Sequence, residues 1–219
     1  LAPSEMCIRD RYGVTTGFGE NFRKSISLKD AEKLQENIIN SHATAVGDIL
    51  TEEQTRAIVL VILNSLGKGY SGVRLDTLER LKMILNKNIY PYAPKNGSVG
   101  YLSVEAHIIR SMVGSGKIIL NKMEVDSREV LGDYKLSYKE GLALISGTSS
   151  VTGLGAIAIN DFIIGAKTAD IIAAMTFEVL NGNVKAYDKR AMKLRNQKEQ
   201  IDTAENIIKI LETKSIVTV

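Results

Sequence analysis

With 219 residues, 44% of them hydrophobic and 24% charged, the chain is too apolar to be disordered and long enough for one substantial core or two small ones. It carries 28 basic against 25 acidic side chains, a net charge of +3; part of the excess lies between Lys185 and Lys198, but with no aromatic platform or recognition motif that stretch reads as a solvated face, not a nucleic-acid interface. A single cysteine, Cys7, excludes an internal disulfide and any multi-cysteine metal site, and two histidines, His42 and His107, lie at no zinc-ligand spacing, so no metal is expected.

Residues 1–11 lack the patterning that begins at Tyr12 and are read as an extraneous leader, which gives Cys7 little weight as a nucleophile. No charged-then-apolar signal layout is present, so a cytoplasmic location is expected. The longest unbroken apolar run is Ala57 to Leu63, and the apolar region Val151 to Met175 is interrupted by Asn160, Asp161, Lys167 and Asp170. No membrane span is expected from these segments.

The elements read mainly as helices. Ser27 and Asp30 start a helix whose Ala31, Leu34 and Ile38 share one face up to about Ser41. Thr51 and Gln54 form a capping box ahead of Ala57 to Leu66, which is apolar nearly all round and is predicted to sit inside a helical pack. Leu75, Leu78, Leu81 and Leu85 mark a third helix. Pro91, Pro94 and Asn96-Gly97 predict a rigid loop, followed by a helix from Leu102 to Val113. Lys117 to Leu120 and Met123 to Val125 flank Asn121-Lys122 as a small hairpin. Ser137, with Glu140 three residues on, opens a Gly- and Ala-rich stretch predicted to be one long bundle helix ending at Asn181-Gly182. A last helix fits Glu199 to Leu211, with Ile201, Ala204, Ile208 and Leu211 inward.

Three stretches carry chemistry: Tyr12-Gly13-Val14-Thr15-Thr16-Gly17-Phe18-Gly19, Asn96-Gly97-Ser98-Val99-Gly100, and Lys139-Glu140-Gly141-Leu142-Ala143-Leu144-Ile145-Ser146-Gly147-Thr148. With Leu34-Gln35-Glu36-Asn37, Ser41-His42-Ala43, Gly69-Tyr70-Ser71-Gly72-Val73-Arg74 and Lys193-Leu194-Arg195, in that family's order, the chain resembles the histidine and aromatic amino-acid ammonia-lyases. The resemblance implies a mainly α fold, a helical bundle of the histidine ammonia-lyase, fumarase/aspartase-like type, with residues 12–219 as the amino-terminal part of a longer protein. It also implies a homotetramer acting in amino-acid catabolism by eliminating ammonia from histidine or another aromatic amino acid. Tyr12 stands at the position of the family's base, His42 at a substrate-pocket position, and Ser146 where the family has an Asn that holds cofactor and substrate. A phenol ionises near pH 10, so a tyrosine base needs donors that hold its oxyanion.

The family's electrophile is a methylidene-imidazolone formed by cyclisation of Ala-Ser-Gly, because side chains alone supply no comparable group. Here that tripeptide is missing between Gly100 and Tyr101, and Tyr101 and Val104 stand where the family has Asp and Pro. No cofactor is therefore expected. Two other readings stay open: a catalytically silent homologue that binds a small amino acid or acts as an oligomeric scaffold, and a cofactor-less lyase whose substrate has a better leaving group. Gly114-Ser115-Gly116-Lys117 is no P-loop, since Ser111 replaces its first Gly and Ile118 its Ser or Thr.

Overall fold

The structure is a computed structural model that describes residues 11–212. Of the leader at 1–11, residues 1–10, Cys7 included, lie outside the described residues, and Arg11 is described. The chain divides into a unit of residues 1–157 and a unit of residues 158–219.

The first unit opens with a short 3-10 turn, Gly19–Arg23, and then α1 (Leu28–His42), whose N-cap Ser27 accepts the amide of Asp30. β1 (Val46–Ile49) leads to α2 (Glu52–Leu66), which begins with the expected reciprocal box between Thr51 and Gln54. α3 (Leu75–Asn86) comes next, then two short strands, β2 (Tyr90–Pro91) and β3 (Pro94–Asn96), where the sequence predicted only a loop. β1 pairs antiparallel with β3, and β2 joins the sheet of the hairpin formed by β4 (Lys117–Leu120) and β5 (Met123–Asp126). Both turn residues of that hairpin, Asn121 and Lys122, have positive φ (50° and 64°), the geometry that lets a two-residue turn follow the strand twist without glycine.

α4 (Ser103–Met112) is the centre of this unit: eight of its ten residues are buried, Ile108, Ile109 and Met112 completely. Against it pack Ile39 of α1, Ile58 and Ile62 of α2, Leu81 and Ile84 of α3, and Leu144 and Ile145 of α6 (Glu140–Ile145), which comes after the short α5 (Ser127–Leu131). Truncating any one of these side chains to Ala removes about 2–5 kcal/mol. α2 is less enclosed than its composition suggested, because Leu60 is 57% exposed while Ile58, Val59 and Ile62 are buried.

The predicted single helix after Ser137 is two helices. α6 ends at Ser146, which is extended (φ −87°, ψ 121°), and Gly147 has φ 141°, so the chain turns before α7 (Ser149–Val179) begins. Glu140 does reach back to the Ser137 amide at 2.7 Å, but the residue preceding the helix is Lys139, at φ 65°. The expectation that no segment could span a bilayer needs correction: Glu140–Val179 contains a window long and apolar enough by length and composition. The four interrupting polar residues all fall between 160 and 170, so the apolar stretch on their amino-terminal side is left unbroken. Buried core helices of bundles meet the same requirement.

The second unit has its own small core. Ala174, Val184, Ile207 and Leu211 are buried, and the Phe177 and Tyr187 rings meet edge-on at 5.3 Å. After a 3-10 turn at Val184–Tyr187 come α8 (Lys189–Arg195), capped by Asp188, and α9 (Lys198–Leu211). Arg190 holds the Asp188 carboxyl down at about 2. On α9 Ile207 takes the fully buried place expected for Ile208, which is half-buried, as is Ile201.

Candidate active site

Tyr12 sits on a tight turn in which the Arg11 carbonyl accepts the amides of Val14 and Thr15 at 2.9 and 3.0 Å. Gly13 comes next at φ 73°; a Cβ there would lie 2.9 Å from both Leu142 Cδ2 and Phe18 Cε1, so only glycine brings this loop against α6. The Tyr12 ring is half exposed, meets Phe18 edge-on at 6.2 Å, and its hydroxyl accepts the Gly19 amide at 3.0 Å. That amide is one donor of the kind a tyrosinate requires.

The loop is tied down from below by Gln35 of α1. This side chain is fully buried; its Nε2 donates to the Gly13 carbonyl and to the Ala31 carbonyl, both at 3.3 Å, and its Oε1 accepts the Leu142 amide at 3.3 Å. Gly141 passes so close that a Cβ would lie 2.6 Å from the Gln35 carbonyl oxygen. In the sequence Gln35 stood out only as part of a motif. Its signal was a polar residue four positions from Ala31, on the buried face of an amphipathic helix, where an amide needs partners.

His42 ends α1 and is half-buried. Its Nδ1 lies 2.8 Å from the Ile38 carbonyl and 3.0 Å from Ser41 Oγ. A carbonyl oxygen only accepts, so Nδ1 carries the proton and Nε2 keeps its lone pair for another partner in the neutral ring. Ser146 is the exposed C-cap of α6 and borders a cavity of about 470 Å3 that is also lined by Ser71, Lys139, Thr148 and Thr152. Tyr12 and His42 lie outside that cavity. The three expected site residues make no hydrogen bond to one another among the described residues, and they share a framework instead: Gln35 joins the Tyr12 loop, the helix that ends at His42 and the helix that ends at Ser146.

α6 is anchored by a buried acid that the sequence placed only as a capping partner of Ser137. Glu140 accepts Arg74 Nε and Nη2, the Arg74 and Ser137 amides, and the Thr77 hydroxyl at 2.8 Å. Burial opposes its ionisation, yet Arg74 and these donors together hold its carboxyl below the ordinary range. Tyr134 completes the network with its hydroxyl 2.7 Å from Thr77 and its ring under the guanidinium groups of Arg74 and Arg80. Glu140 and Arg74 are 66 residues apart, a separation no local spacing rule detects.

The loop at Gly100-Tyr101 closes on itself. The Gly100 amide donates to Ser98 Oγ at 3.1 Å, Ser98 Oγ donates to the Tyr101 carbonyl at 3.3 Å, and the Ser103 amide donates to that carbonyl at 2.9 Å. The last bond spans Leu102 at φ 70°, ψ −56°, a strained γ-turn that costs on the order of 1–3 kcal/mol. Further along α4, Glu105 is buried and takes the Ser150 amide at 2.8 Å, placing a carboxylate at the start of α7. A methylidene-imidazolone does not fit these residues: its formation needs a serine to dehydrate and a following glycine amide to attack, and Ser98 is followed by Val99 in a closed turn. His107 is half-buried, and burial and then Arg110 push its imidazole below the ordinary value, as suits a structural residue.

A family model described as aromatic amino acid lyase matches residues 7–218. Histidine ammonia-lyase of Streptococcus pyogenes serotype M49 (strain NZ131) is 43% identical over 216 residues, covering 95% of this chain and 42% of that protein. Among solved structures, tyrosine aminomutase from Streptomyces globisporus superposes with a TM-score of 0.91 at 34% identity, over 98% of this chain and 42% of that one. The ergothioneine-degrading enzyme ergothionase from Treponema denticola, solved with desmethyl-ergothioneine sulfonic acid, gives 0.86 at 26% identity, over 93% and 43%. The chain thus spans less than half the length of these relatives.

Proposed function

Because the chain belongs to the aromatic amino acid lyase family, we propose that it is the amino-terminal part of a carbon-nitrogen lyase that eliminates the α-nitrogen from histidine or another aromatic amino acid. Tyr12 is the base that removes the β-proton, His42 presents Nε2 to the substrate ring, and Ser146 contacts the substrate where α6 ends. The observation that carries this reading is the Tyr12 loop: a hydroxyl already paired with an amide donor, on a turn pinned to the helix that ends at Ser146. Assays of the full-length protein with histidine, tyrosine and phenylalanine test it. Turnover of one of them supports the reading, and no turnover of any favours a silent homologue.

The closed turn at Gly100-Tyr101 favours a second reading of the same site. Without an electrophile, a protonated amine gives up its N–H to the base before the β-carbon does and becomes a neutral amine, a poor leaving group, whereas a quaternary α-ammonium has no N–H to lose and departs as a neutral tertiary amine. A base such as Tyr12 then suffices. Assaying each amino acid beside its N,N,N-trimethyl betaine separates the two readings, since only the cofactor-less lyase prefers the betaine.

A homo-oligomer, tetrameric by resemblance and cytoplasmic, accounts for the surface of α7. Ile159, Phe162, Ile163, Ile172, Met175 and Val179 are all exposed, Phe162 by 76%. Surfaces of this kind mark interfaces. Size-exclusion chromatography with light scattering is expected to give an assembly; a stable monomer at micromolar concentration contradicts it.

A further inference from the structure

We infer that Gln35 is the positioning residue for Tyr12: its carboxamide sets the height and direction of the Tyr12 loop over α6, and so the place from which the hydroxyl reaches a substrate. The inference rests on the reading of Tyr12 as the base. Three observations converge on this one side chain. Gln35 has no exposed surface, so its polar atoms must find protein partners or be left unsatisfied at a cost of about 1–3 kcal/mol each. Those partners lie on separate elements, with Nε2 holding the Gly13 carbonyl next to Tyr12 and Oε1 holding the Leu142 amide in the middle of α6. Finally, both glycines beside it are constrained, Gly13 by its φ of 73° and Gly141 by the Gln35 backbone, whose oxygen would lie 2.6 Å from a Cβ, so α1 and α6 meet closely there and the loop turns directly onto them.

A carboxamide suits this task because it offers a donor and an acceptor in one rigid plane, and here it uses both at once. A methionine of similar shape keeps the packing and loses both bonds. A glutamate keeps the acceptor for Leu142 and, when ionised, has no proton for Gly13. The role is distinct from general core packing, which would not depend on the direction of those two bonds.

The test places 3-fluorotyrosine at position 12 and follows its fluorine resonance in the intact chain. In the parent a single, ordered-ring resonance is expected, distinct from that of free fluorotyrosine; a free-like resonance in the folded parent overturns the inference without any variant. In Gln35→Met and Gln35→Glu the resonance is expected to move to the free-like position while the far-ultraviolet circular dichroism stays that of the parent. A parent-like resonance in a folded variant of either kind overturns it. In the active full-length protein the same substitutions should lower kcat by up to about a hundredfold, with KM little changed. Tyr12→Phe in that assay judges the base reading separately: if its rate is unchanged the base assignment fails, while the fluorine resonance still decides whether Gln35 holds the loop.

Discussion

The loops at residues 12–19 and 97–102 belong to the same unit of the fold but are held in opposite ways. The first is held largely from outside itself: Gln35 grips its backbone and Leu142 packs against Gly13, while within the loop Phe18 also meets Gly13 and the Gly19 amide donates to the Tyr12 hydroxyl. The second is held by its own atoms, with Ser98 bonded to both sides of the turn and Leu102 forced to positive φ. One loop has the supports of a side chain kept in place for use. The other has the geometry of a connection drawn tight across the position where an electrophile would stand. On the proposed reading, the difference separates substrate handling from electrophilic capture, and the first can persist without the second.

The largest expected effect falls on the first loop. Tyr12→Phe keeps the ring against Phe18 and removes only the hydroxyl, so turnover by the full-length protein should fall by about a hundredfold to ten-thousandfold with the melting temperature nearly unchanged. Equal rates in parent and variant would remove the contrast between the loops. His42→Leu is expected to act differently, shifting preference from imidazole and phenol rings towards phenyl, as competition assays among the three amino acids would reveal.

A smaller effect is expected at the base of α6. Glu140→Gln loses charge-assisted bonds to Arg74 and should destabilise the fold by roughly 1.5–3 kcal/mol in denaturant titrations. Because the folded carboxyl lies below its ordinary range, its contribution is complete above the unfolded value of about 4.3 and is lost as pH falls through the lower folded value. The parent should therefore lose stability on acidification across that window, and the Gln variant should lose less. Parallel pH dependence in the two proteins would mean that Glu140 gains nothing from its partners.

The smallest effect concerns Lys139, which precedes α6 at φ 65°. Lys139→Gly relieves a left-handed conformation at some entropic cost, for a net gain of about 0.5–1 kcal/mol in the same titration. A loss of stability would mean that the lysine side chain, at the rim of the cavity beside Ser146, makes a compensating contact.

Helices with local caps were legible in the sequence. Ser27 with Asp30 and Thr51 with Gln54 are pairs three residues apart, and the structure realises both. The break at Ser146-Gly147 was missed although Ser146-Gly147-Thr148-Ser149-Ser150 carries turn and N-cap residues, because the apolar runs beyond it on both sides suit one continuous helix. The individual site positions Tyr12, His42 and Ser146 came from a family likeness carried by whole motifs. What joins them did not, since Gln35 reaches Leu142 across 107 residues and Arg74 reaches Glu140 across 66. Such pairings are set by tertiary packing, and neither periodicity nor spacing encodes them.

The closed turn at Gly100-Tyr101 is tested most directly by the intact mass of the full-length purified protein. A mass equal to that of the unprocessed sequence is expected, with no dehydration at residues 98–101. A mass lighter by two waters, localised to that segment by peptide mapping, would contradict the account and restore an electrophilic ammonia-lyase.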